Sequence, residues 1–256
     1  MNGASLSLLA LDGLPEIEPG MALAPVIAAA LKRHDWAPSA DDIVFVCQKI
    51  VSKSENRFLD LANVEVSEEA RKLAVRCEKD PRLVEIILRE STEVIRCAPR
   101  VLIVRHRLGL VMANAGVDQS NIPNSDSHVL LLPADPDASA AALREALFQN
   151  LGASPAVVIT DTFGRPWRLG VCGTAIGSSG IATLLDRRGA ADRFGRKLLV
   201  TQVAVADGLA AAATLLMGEA AEGRPVVIAR GLQRAWGGKA ARAADVIRPL
   251  IEDLFR

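Results

Sequence analysis

The chain has 256 residues, of which 50% are hydrophobic, and its 30 basic side chains balance its 30 acidic ones. Such a composition is typical of an α/β protein with a sizeable core, and the balanced charge excludes a global field for nucleic acid or an anionic membrane. We therefore expect neither as a partner. The four cysteines lack CxxC spacing, and no signal peptide or membrane-length apolar segment is evident. These features predict reduced thiols and a cytoplasmic protein.

The first half of the sequence predicts strands and helices in alternation. Strands are expected at residues 5–11 and 42–47, and helices at Leu23–Arg33, 67–77 and 81–91. A turn marked by glycine and proline, residues 12–17, follows the first strand, and an ordinary connecting loop is its better interpretation.

A polar cluster follows the second predicted strand. It contains Gln48, Lys49 and Lys53, and its two lysines are four residues apart. Lysines at a strand end can pair with phosphate as point charges. A solvated loop is the alternative, and two lysines by themselves do not exclude it.

A second polar stretch, residues 113–121, follows a hairpin predicted from the apolar segments 100–107 and 109–113. Asp118 and Asn121 offer oxygen atoms three residues apart, beside small residues that would let a ligand approach. An Asx-turn would explain the same residues.

The second half of the sequence predicts a βαβ unit. A strand at 128–133, a helix at 140–149 and a strand at 156–160 follow one another, so we expect the two strands to pair in parallel. Beyond them, the pattern predicts a turn at 175–177, a strand at 196–205, a helix at 207–217 and a last strand at 226–229.

Residues 161–168 directly follow the strand expected at 156–160. A carboxylate at the end of such a strand lies where open α/β sheets form their ligand crevices. Asp161 and Thr162 supply hard oxygen ligands for a cation, and two arginines supply planar donors for phosphate. The alternative is an aspartate that caps a turn and an arginine that packs on the nearby tryptophan.

Three carboxylates in these stretches lie beside glycine turns, namely Asp118, Asp161 and Glu219. Brought together, they can hold two divalent cations that bridge phosphate oxygens. Positive charge would come from Lys49, Lys53, Arg165, Arg168 and Arg224. Neither a GxxxxGK[ST] loop nor a GxGxxG after the first strand is present, and no histidine has a nucleophile-elbow partner. Spacing alone therefore indicates a metal-dependent phosphate site and no particular reaction.

With these residues in view, the chain resembles the coenzyme F420-0:L-glutamate ligase (gamma-glutamyl ligase) family over nearly its whole length. The motifs that carry the resemblance are residues 13–17, 48–53, 113–121 and 161–168, Met217-Gly218-Glu219 and Glu252-Asp253-Leu254-Phe255-Arg256. The resemblance implies an α/β (α+β mixed) fold of mixed sheets with packed helices, of the gamma-glutamyl ligase type and without a P-loop or Rossmann fingerprint. It also implies one ligase domain over residues 1–256, with no fused nitroreductase-like domain.

The resemblance also implies an activity. Family members join L-glutamate to the deazaflavin precursor F420-0 with GTP, through an acyl phosphate, releasing GDP and phosphate. One addition forms F420-1, and a second, gamma-linked addition forms F420-2. Two divalent ions per subunit, Mg²⁺ or Mn²⁺, are implied, with K⁺ as a further candidate ion, and the protein is expected to be a homodimer.

Site residues are carried over from the family by motif. Asp118 and Asp161 would be catalytic and would bind the first ion, and Thr162 and Glu219 would bind the second. The GTP site would comprise Leu14, Pro15, Glu16, Ile17, Gln48, Lys49, Lys53, Asn121, Met217, Gly218, Glu219, Ala220, Ala221, Glu222, Gly223 and Arg224. Arg165 and Arg168 receive no role.

Two loops depart from the family pattern, at Asn56 and at residues 124–128. They put the identity of the acceptor in question more than the GTP and metal site. Two other interpretations therefore stay open, an amide ligase for a different carboxylate acceptor and a non-catalytic GTP-binding protein.

Overall fold

A computed structural model describes residues 5–231 and 240–253, and the last three motif residues, 254–256, lie outside this range. The fold is mixed α/β with several sheets, as the sequence predicted. Its strands are Ser7–Leu11 (β1), Ile43–Cys47 (β2), Phe58–Asp60 (β3), Ser91–Ala98 (β4), Val101–His106 (β5), Val111–Ala113 (β6), His128–Leu130 (β7), Ala156–Arg165 (β8), Arg168–Ser179 (β9), Leu184–Asp186 (β10), Gln202–Ala204 (β11) and Val226–Arg230 (β12). Its helices are Leu23–Arg33 (α1), Gln48–Ser54 (α2), Glu68–Cys77 (α3), Pro81–Arg89 (α4), Pro136–Leu151 (α5) and Val205–Met217 (α6).

A five-stranded sheet in the order β1-β12-β2-β8-β9 forms the centre of the protein. Strands β2 and β8 run parallel, with a register from Ile43 opposite Ala156 to Cys47 opposite Thr160. The other pairs in this sheet are antiparallel. Because β2 and β8 are parallel, their carboxyl ends meet at one edge of the sheet, where ligands bind in α/β folds.

Helices cover both faces of this sheet, which explains why β2 and β8 are continuous apolar runs. Val44 and Ile159 belong to the core on the side of α1 and α5. Phe45 and Val158 belong to the core on the side of α6. The alanine-rich sequence of α6 lets this helix approach the sheet closely.

A third core lies between the helices α3 and α4 and the antiparallel sheet β4-β5-β6. Both helices begin at side-chain caps, since Ser67 accepts a hydrogen bond from the Ala70 N–H and Asp80 accepts one from the Arg82 N–H. Such caps satisfy N–H groups that the first helical turn leaves free. None of the helices within the described ranges combines the length and apolar character needed to cross a membrane.

The predicted parallel pairing between the strands at 128–133 and 156–160 is wrong. Strand β7 pairs antiparallel with β3, and the parallel partner of β8 is β2. β7 has only three residues, whereas the apolar run of β8 is buried on both faces and requires a central position.

Other boundaries also differ from the prediction. Residues 48–54 form a helix and not a solvated loop, and the strand expected at 196–205 is shortened to Gln202–Ala204. Residues 175–177 lie within β9 and not in a turn, since β8 continues past Asp161 and pairs with β9 as a long hairpin. Strand β4 was not predicted. Its residues are mostly polar or partly exposed, which weakens the hydrophobic signal.

A buried carboxylate, Asp42, ties the loop before β2 to the end of β12. Its oxygens accept hydrogen bonds from the Trp36 indole at 3.0 Å, from the Ser39 N–H at 2.9 Å and from the Arg230 guanidinium at 2.6 and 2.7 Å. Arg230 also stacks over the Trp36 ring. Burial raises the pKa of Asp42, but the hydrogen bonds of Arg230, Trp36 and Ser39 outweigh it and hold this pKa below its usual value.

Asp42→Asn should lower the free energy of unfolding by about 2 kcal/mol near pH 7, because a neutral amide loses the charge-assisted pair with Arg230. The pKa of Asp42 is lower in the folded than in the unfolded chain. Its contribution is therefore complete above the unfolded value of about 4 and is lost as the pH falls through the folded value.

Urea titrations near pH 7 and near pH 3 should accordingly show a difference between Asp42→Asn and wild type that narrows at the lower pH. Asp186→Asn, which removes an exposed pair with Arg188, is the control and should leave the midpoint near pH 7 almost unchanged. Equal midpoints for Asp42→Asn and wild type near pH 7 would contradict the assigned role of Asp42.

Candidate functional site

The carboxyl ends of β2 and β8 open into a cleft of about 400 Å³. Segments from five parts of the chain contribute to it. Its lining comprises Glu16, Cys47, Gln48, Lys49, Ile50, Lys53, Asp118, Ser120, Asn121, Thr160, Asp161, Thr162, Thr214, Met217, Gly218, Glu219, Ala220, Ala221, Glu222, Gly223, Arg224 and Pro225. The structure thus brings together the predicted carboxylates, both predicted lysines and the whole segment 217–224.

Lys49 and Asp118 form the central ion pair of the cleft, with 2.8 Å between Nζ and Oδ2. Lys49 also donates to the backbone and side-chain oxygens of Ser120, and the Ser120 N–H donates to Asp118 at 2.7 Å. Burial raises the pKa of Asp118, but the hydrogen bonds of Lys49 and Ser120 outweigh it and lower this pKa overall. Asp118 is therefore held ionised and in a defined orientation.

The backbone before Asp118 follows an unusual left-handed path. Asn114, Ala115 and Gly116 have φ values of 54°, 52° and 66°. Left-handed residues usually occur singly, and each non-glycine one costs about 1 kcal/mol. A side chain at Gly116 would have its Cβ 2.8 Å from Cγ of Leu132. Backbone strain of this kind often accompanies functional sites, and here it directs the chain toward Asp118.

Asp161 lies deeper in the same cleft, on the extended part of β8. Its pKa is raised to about 7, chiefly by burial and also by the charges of Asp118 and Glu219, while the Thr162 N–H and Lys49 act in the opposite direction. The next residue, Thr162, donates its hydroxyl hydrogen to Oε2 of Glu219 at 3.0 Å. Three carboxylates and one hydroxyl thus face one another across the edge of the sheet.

The second lysine of the cleft, Lys53, is almost completely buried and pairs with the exposed carboxylate of Glu16. Its neighbour Gln48 is buried as well and accepts a hydrogen bond from the Ser52 hydroxyl at 2.9 Å. Both side chains project from α2, the segment for which a solvated loop was the alternative interpretation of the sequence. The helix fixes the spacing of Lys49 and Lys53 so that both reach the cleft.

Residues 217–224 close the other side of the cleft. The Asn121 side-chain amide donates to the Ala220 carbonyl at 2.9 Å, and the Ala220 N–H donates to Glu222 at 2.8 Å. These contacts connect the segment after α6 to the Asp118 loop. They place exposed Arg224 on the same rim as the two lysines.

The donor set of the cleft fits divalent cations. Asp118, Asp161 and Glu219 bring three carboxylates together, and within the described residues Lys49 is the cation that interacts with Asp161. Hard oxygen ligands and uncompensated negative charge are what Mg²⁺ and Mn²⁺ prefer. Across residues 5–231 and 240–253, no three His, Cys, Asp or Glu side chains are close enough to enclose an ion by themselves. Ions here would therefore share their coordination with Thr162, water and substrate oxygens.

Some predicted site residues do not line the cleft. Ile17 is buried in the core beside α1, and Leu14 packs against that core, while Pro15 is exposed. Arg165 and Arg168 pair across the end of the β8–β9 hairpin, where Arg165 donates to the Leu169 carbonyl. The phosphate role that their types suggested is therefore not supported by their position.

Other residues of the cleft were not assigned from the sequence. Ser120 lies inside the 113–121 motif, so its proximity to Asp118 was a usable signal. Cys47 and Thr160 reach the cleft through the pairing of β2 with β8, and Thr214 reaches it through the packing of α6 on the sheet. Burial raises the pKa of Cys47 to about 11, which keeps its thiol protonated.

Comparison with known proteins places the chain among ligases of one kind. A profile of the family described as F420-0:Gamma-glutamyl ligase matches residues 13–231. The chain is 45% identical over 245 residues to the Coenzyme F420:L-glutamate ligase of Methanopyrus kandleri, covering 94% of each protein. It is 42% identical over 255 residues to the protein of that name from Methanothermobacter thermautotrophicus, covering 98% of this chain and 99% of the relative. For the Archaeoglobus fulgidus protein of that name the identity is 40% over 245 residues, covering 96% and 94%.

The left-handed turn before Asp118 can be tested by stability. Gly116→Ala should lower the free energy of unfolding by about 2–4 kcal/mol, because it adds backbone strain and an overlap with Leu132. Gly152→Ala is the matched control, since Gly152 has a φ of 68° and nothing within 4 Å of an added Cβ. Urea denaturation should show a clearly larger loss in the free energy of unfolding for Gly116→Ala than for Gly152→Ala. Equal losses would show that the overlap with Leu132 does not contribute.

Proposed function

The chain belongs to the F420-0:Gamma-glutamyl ligase family, and we propose that it is a GTP-dependent ligase that adds L-glutamate to F420-0. The products are F420-1 and, by a gamma-linked second addition, F420-2, together with GDP and phosphate. Relatives named Coenzyme F420:L-glutamate ligase, which align with nearly the whole chain, support glutamate ligation to an F420 precursor. The observation that supports the nucleotide-dependent part is the convergence of Asp118, Asp161, Thr162 and Glu219 with two lysines in one cleft.

An amide bond between a carboxylate and an amine requires activation of the carboxylate. In the proposed reaction, an acceptor carboxylate oxygen attacks the γ-phosphorus of GTP, the bond from that phosphorus to the β,γ-bridging oxygen breaks, and GDP leaves. The glutamate amine then attacks the acyl carbon, phosphate departs with the bonding electrons, and the amine loses a proton. Both steps bring anions together, so positioning and charge stabilisation are the main tasks of the protein.

The cationic side chains of the cleft suit this task. Lys49 and Lys53 form ion pairs with Asp118 and Glu16, which keep their amines inside the cleft. Phosphate oxygens would take over part of these interactions, and Arg224 on the rim would add a planar donor. Fixed positive charges of this kind offset the repulsion between a triphosphate and an attacking carboxylate.

The oxygen ligands of the cleft complement the lysines. Asp118 and Asp161 would hold one divalent ion, Mg²⁺ or Mn²⁺, and Thr162 and Glu219 a second, with K⁺ as a further candidate. Such ions, when bound, neutralise charge on the phosphate oxygens. The Thr162 side chain then serves to orient Glu219, which it already contacts at 3.0 Å.

The surface of the protein supports a homodimer. The end of the β8–β9 hairpin projects Trp167 and Leu169, whose relative exposures are 89% and 98%, and Val171 beside them is also exposed. Apolar side chains grouped on one projecting hairpin are typical of protein–protein contacts. We therefore assign this hairpin to the contact between two copies.

The cysteines at 47, 77, 97 and 172 are free thiols, which favours a reducing compartment such as the cytoplasm.

The activity is tested by incubating the protein with GTP, Mn²⁺ or Mg²⁺, L-glutamate and F420-0, and by reading the products by mass spectrometry. We expect F420-0 to gain glutamyl residues only when GTP is present. No glutamyl product over a range of metals would refute the proposal. Equal turnover of other carboxylates would indicate a different acceptor, and GTP binding without phosphate release would indicate a non-catalytic protein.

Asp161→Asn should lower turnover more than about 100-fold, because it removes negative charge from the ion ligands with little change in volume. The urea midpoint should not fall, since a buried carboxylate is replaced by a neutral amide. Asp186→Asn, at a residue that does not line the cleft, is the control for activity. Wild-type turnover by Asp161→Asn would show that Asp161 is not a ligand.

The dimer is tested by analytical ultracentrifugation. Wild type should sediment at about twice the chain mass of 27.2 kDa, and the double variant Trp167→Glu/Leu169→Glu should sediment as a single chain, because charge replaces the apolar contact. Val75→Glu, at another exposed apolar position, on α3, should remain dimeric. A monomeric wild type, or a double variant that stays dimeric, would refute the assigned contact.

A further inference from the structure

Helix α6 does not merely cover the sheet, because two specific contacts fix it to β9 next to the cleft. We propose that Asp207 and Gly173 are positioning residues that dock α6 on β9 and thereby hold Glu219 against Thr162. This inference rests on the proposed function, because it concerns the residues assigned to the second ion. Neither Asp207 nor Gly173 lines the cleft itself.

The first contact is made at an irregularity in the sheet. The register between β8 and β9 shifts between the pairs Ile159–Gly177 and Thr160–Ala175, so Ile176 is an extra residue in β9. The Ala175 N–H donates to the Asp207 carboxylate at 3.0 Å. Asp207 lies in the first turn of α6, where the helix dipole favours a carboxylate. The bulge and the helix are therefore joined by one hydrogen bond, immediately before Asp161 on the partner strand.

The bulge has a geometric consequence for the site. A β-bulge bends its strand and changes the local twist, and it can thereby redirect the side chains that follow. Here it lies one pair before Asp161 and two before Thr162 in the β8–β9 ladder. Asp207 stabilises this distortion because its carboxylate accepts a hydrogen bond from the N–H of Ala175, at the bulge.

The second contact is a close approach of backbones. Gly173 pairs with Thr162 across the hairpin, and an added Cβ at Gly173 would lie 2.7 Å from the Ala210 carbonyl oxygen and would overlap the Thr214 side chain. Only glycine therefore allows α6 to lie as close to β9 as it does. The helix touches the sheet directly behind the residue whose hydroxyl binds Glu219.

These contacts determine where the carboxyl end of α6 lies. The helix runs about 15 Å from Asp207 to Met217 at 1.5 Å per residue, and Met217 contacts the Thr160 hydroxyl at 3.8 Å through its sulfur. Glu219 follows two residues later and accepts the Thr162 hydroxyl hydrogen. A displacement of α6 along or away from β9 would be passed to Glu219, because a helix moves as a rigid unit.

The test measures Mn²⁺ binding directly, by the electron paramagnetic resonance signal of free Mn²⁺ in the presence of GDP. Asp207→Ala should bind Mn²⁺ about 10-fold more weakly, which is typical for the loss of an outer partner of metal ligands. Asp207→Asn should keep wild-type affinity, because its amide oxygen still accepts the Ala175 N–H. Asp80→Ala, which removes a helix cap elsewhere, is the control for a comparable structural loss and should bind Mn²⁺ as wild type does.

Gly173→Ala provides a second measurement that does not depend on Asp207. It should also weaken Mn²⁺ binding about 10-fold, whereas Gly208→Ala, on the same helix with nothing within 4 Å of an added Cβ, should not. If wild type does not bind Mn²⁺ with GDP, the proposed metal site itself is wrong. If wild type binds and both Asp207→Ala and Gly173→Ala bind equally well, the positioning role is refuted while the proposed function stands.

Discussion

The parallel pairing of β2 with β8 is the interaction on which the site depends. It aligns Cys47 with Thr160, so that the chain leaves β2 into α2 beside the point where β8 presents Asp161. Both strands are buried on two faces, and the hydrophobic effect therefore fixes their register, since a slip by one residue would exchange the two cores. The lysines of α2 and the carboxylates of β8 and the Asp118 loop meet because of this pairing.

The charges that meet there are not arranged for stability. Asp161 is desolvated and faces two other carboxylates, which together raise its pKa to about 7. By contrast, Asp42 is fully buried but is paired with Arg230, and its pKa is lowered. This difference between a fully paired carboxylate and a partly compensated one makes Asp161 a candidate for ligand binding.

Strained backbone and close packing are concentrated near the site. The left-handed turn before Asp118, the bulge beside Thr160 and the close contact at Gly173 all lie within a few residues of proposed ligands. Each is a local deviation from regular geometry that the surrounding cores hold in place. The two cores on either side of the sheet therefore help to hold the backbone of the cleft in these geometries.

The sequence by itself determined the local elements whose signals are strong. The helix Leu23–Arg33 and the strands β2 and β12 follow from apolar periodicity, and the carboxylates, Lys49 and Lys53 follow from residue type and family motif. These properties depend on neighbouring residues or on composition, which a linear pattern records. The same reasoning offered Arg165 and Arg168 as candidates for binding phosphate, and neither lines the cleft.

Only the tertiary structure decided which strands pair and which side chains meet. The partner of β8 lies more than a hundred positions away in the sequence, and the contact of Thr162 with Glu219 depends on how α6 packs against Gly173. Such contacts are determined by the burial of whole faces and by backbone separations, which do not leave a periodic signal in the chain. For this reason many residues of the cleft could be named from the sequence, whereas Asp207 and Gly173, which we propose hold the cleft in shape, could not.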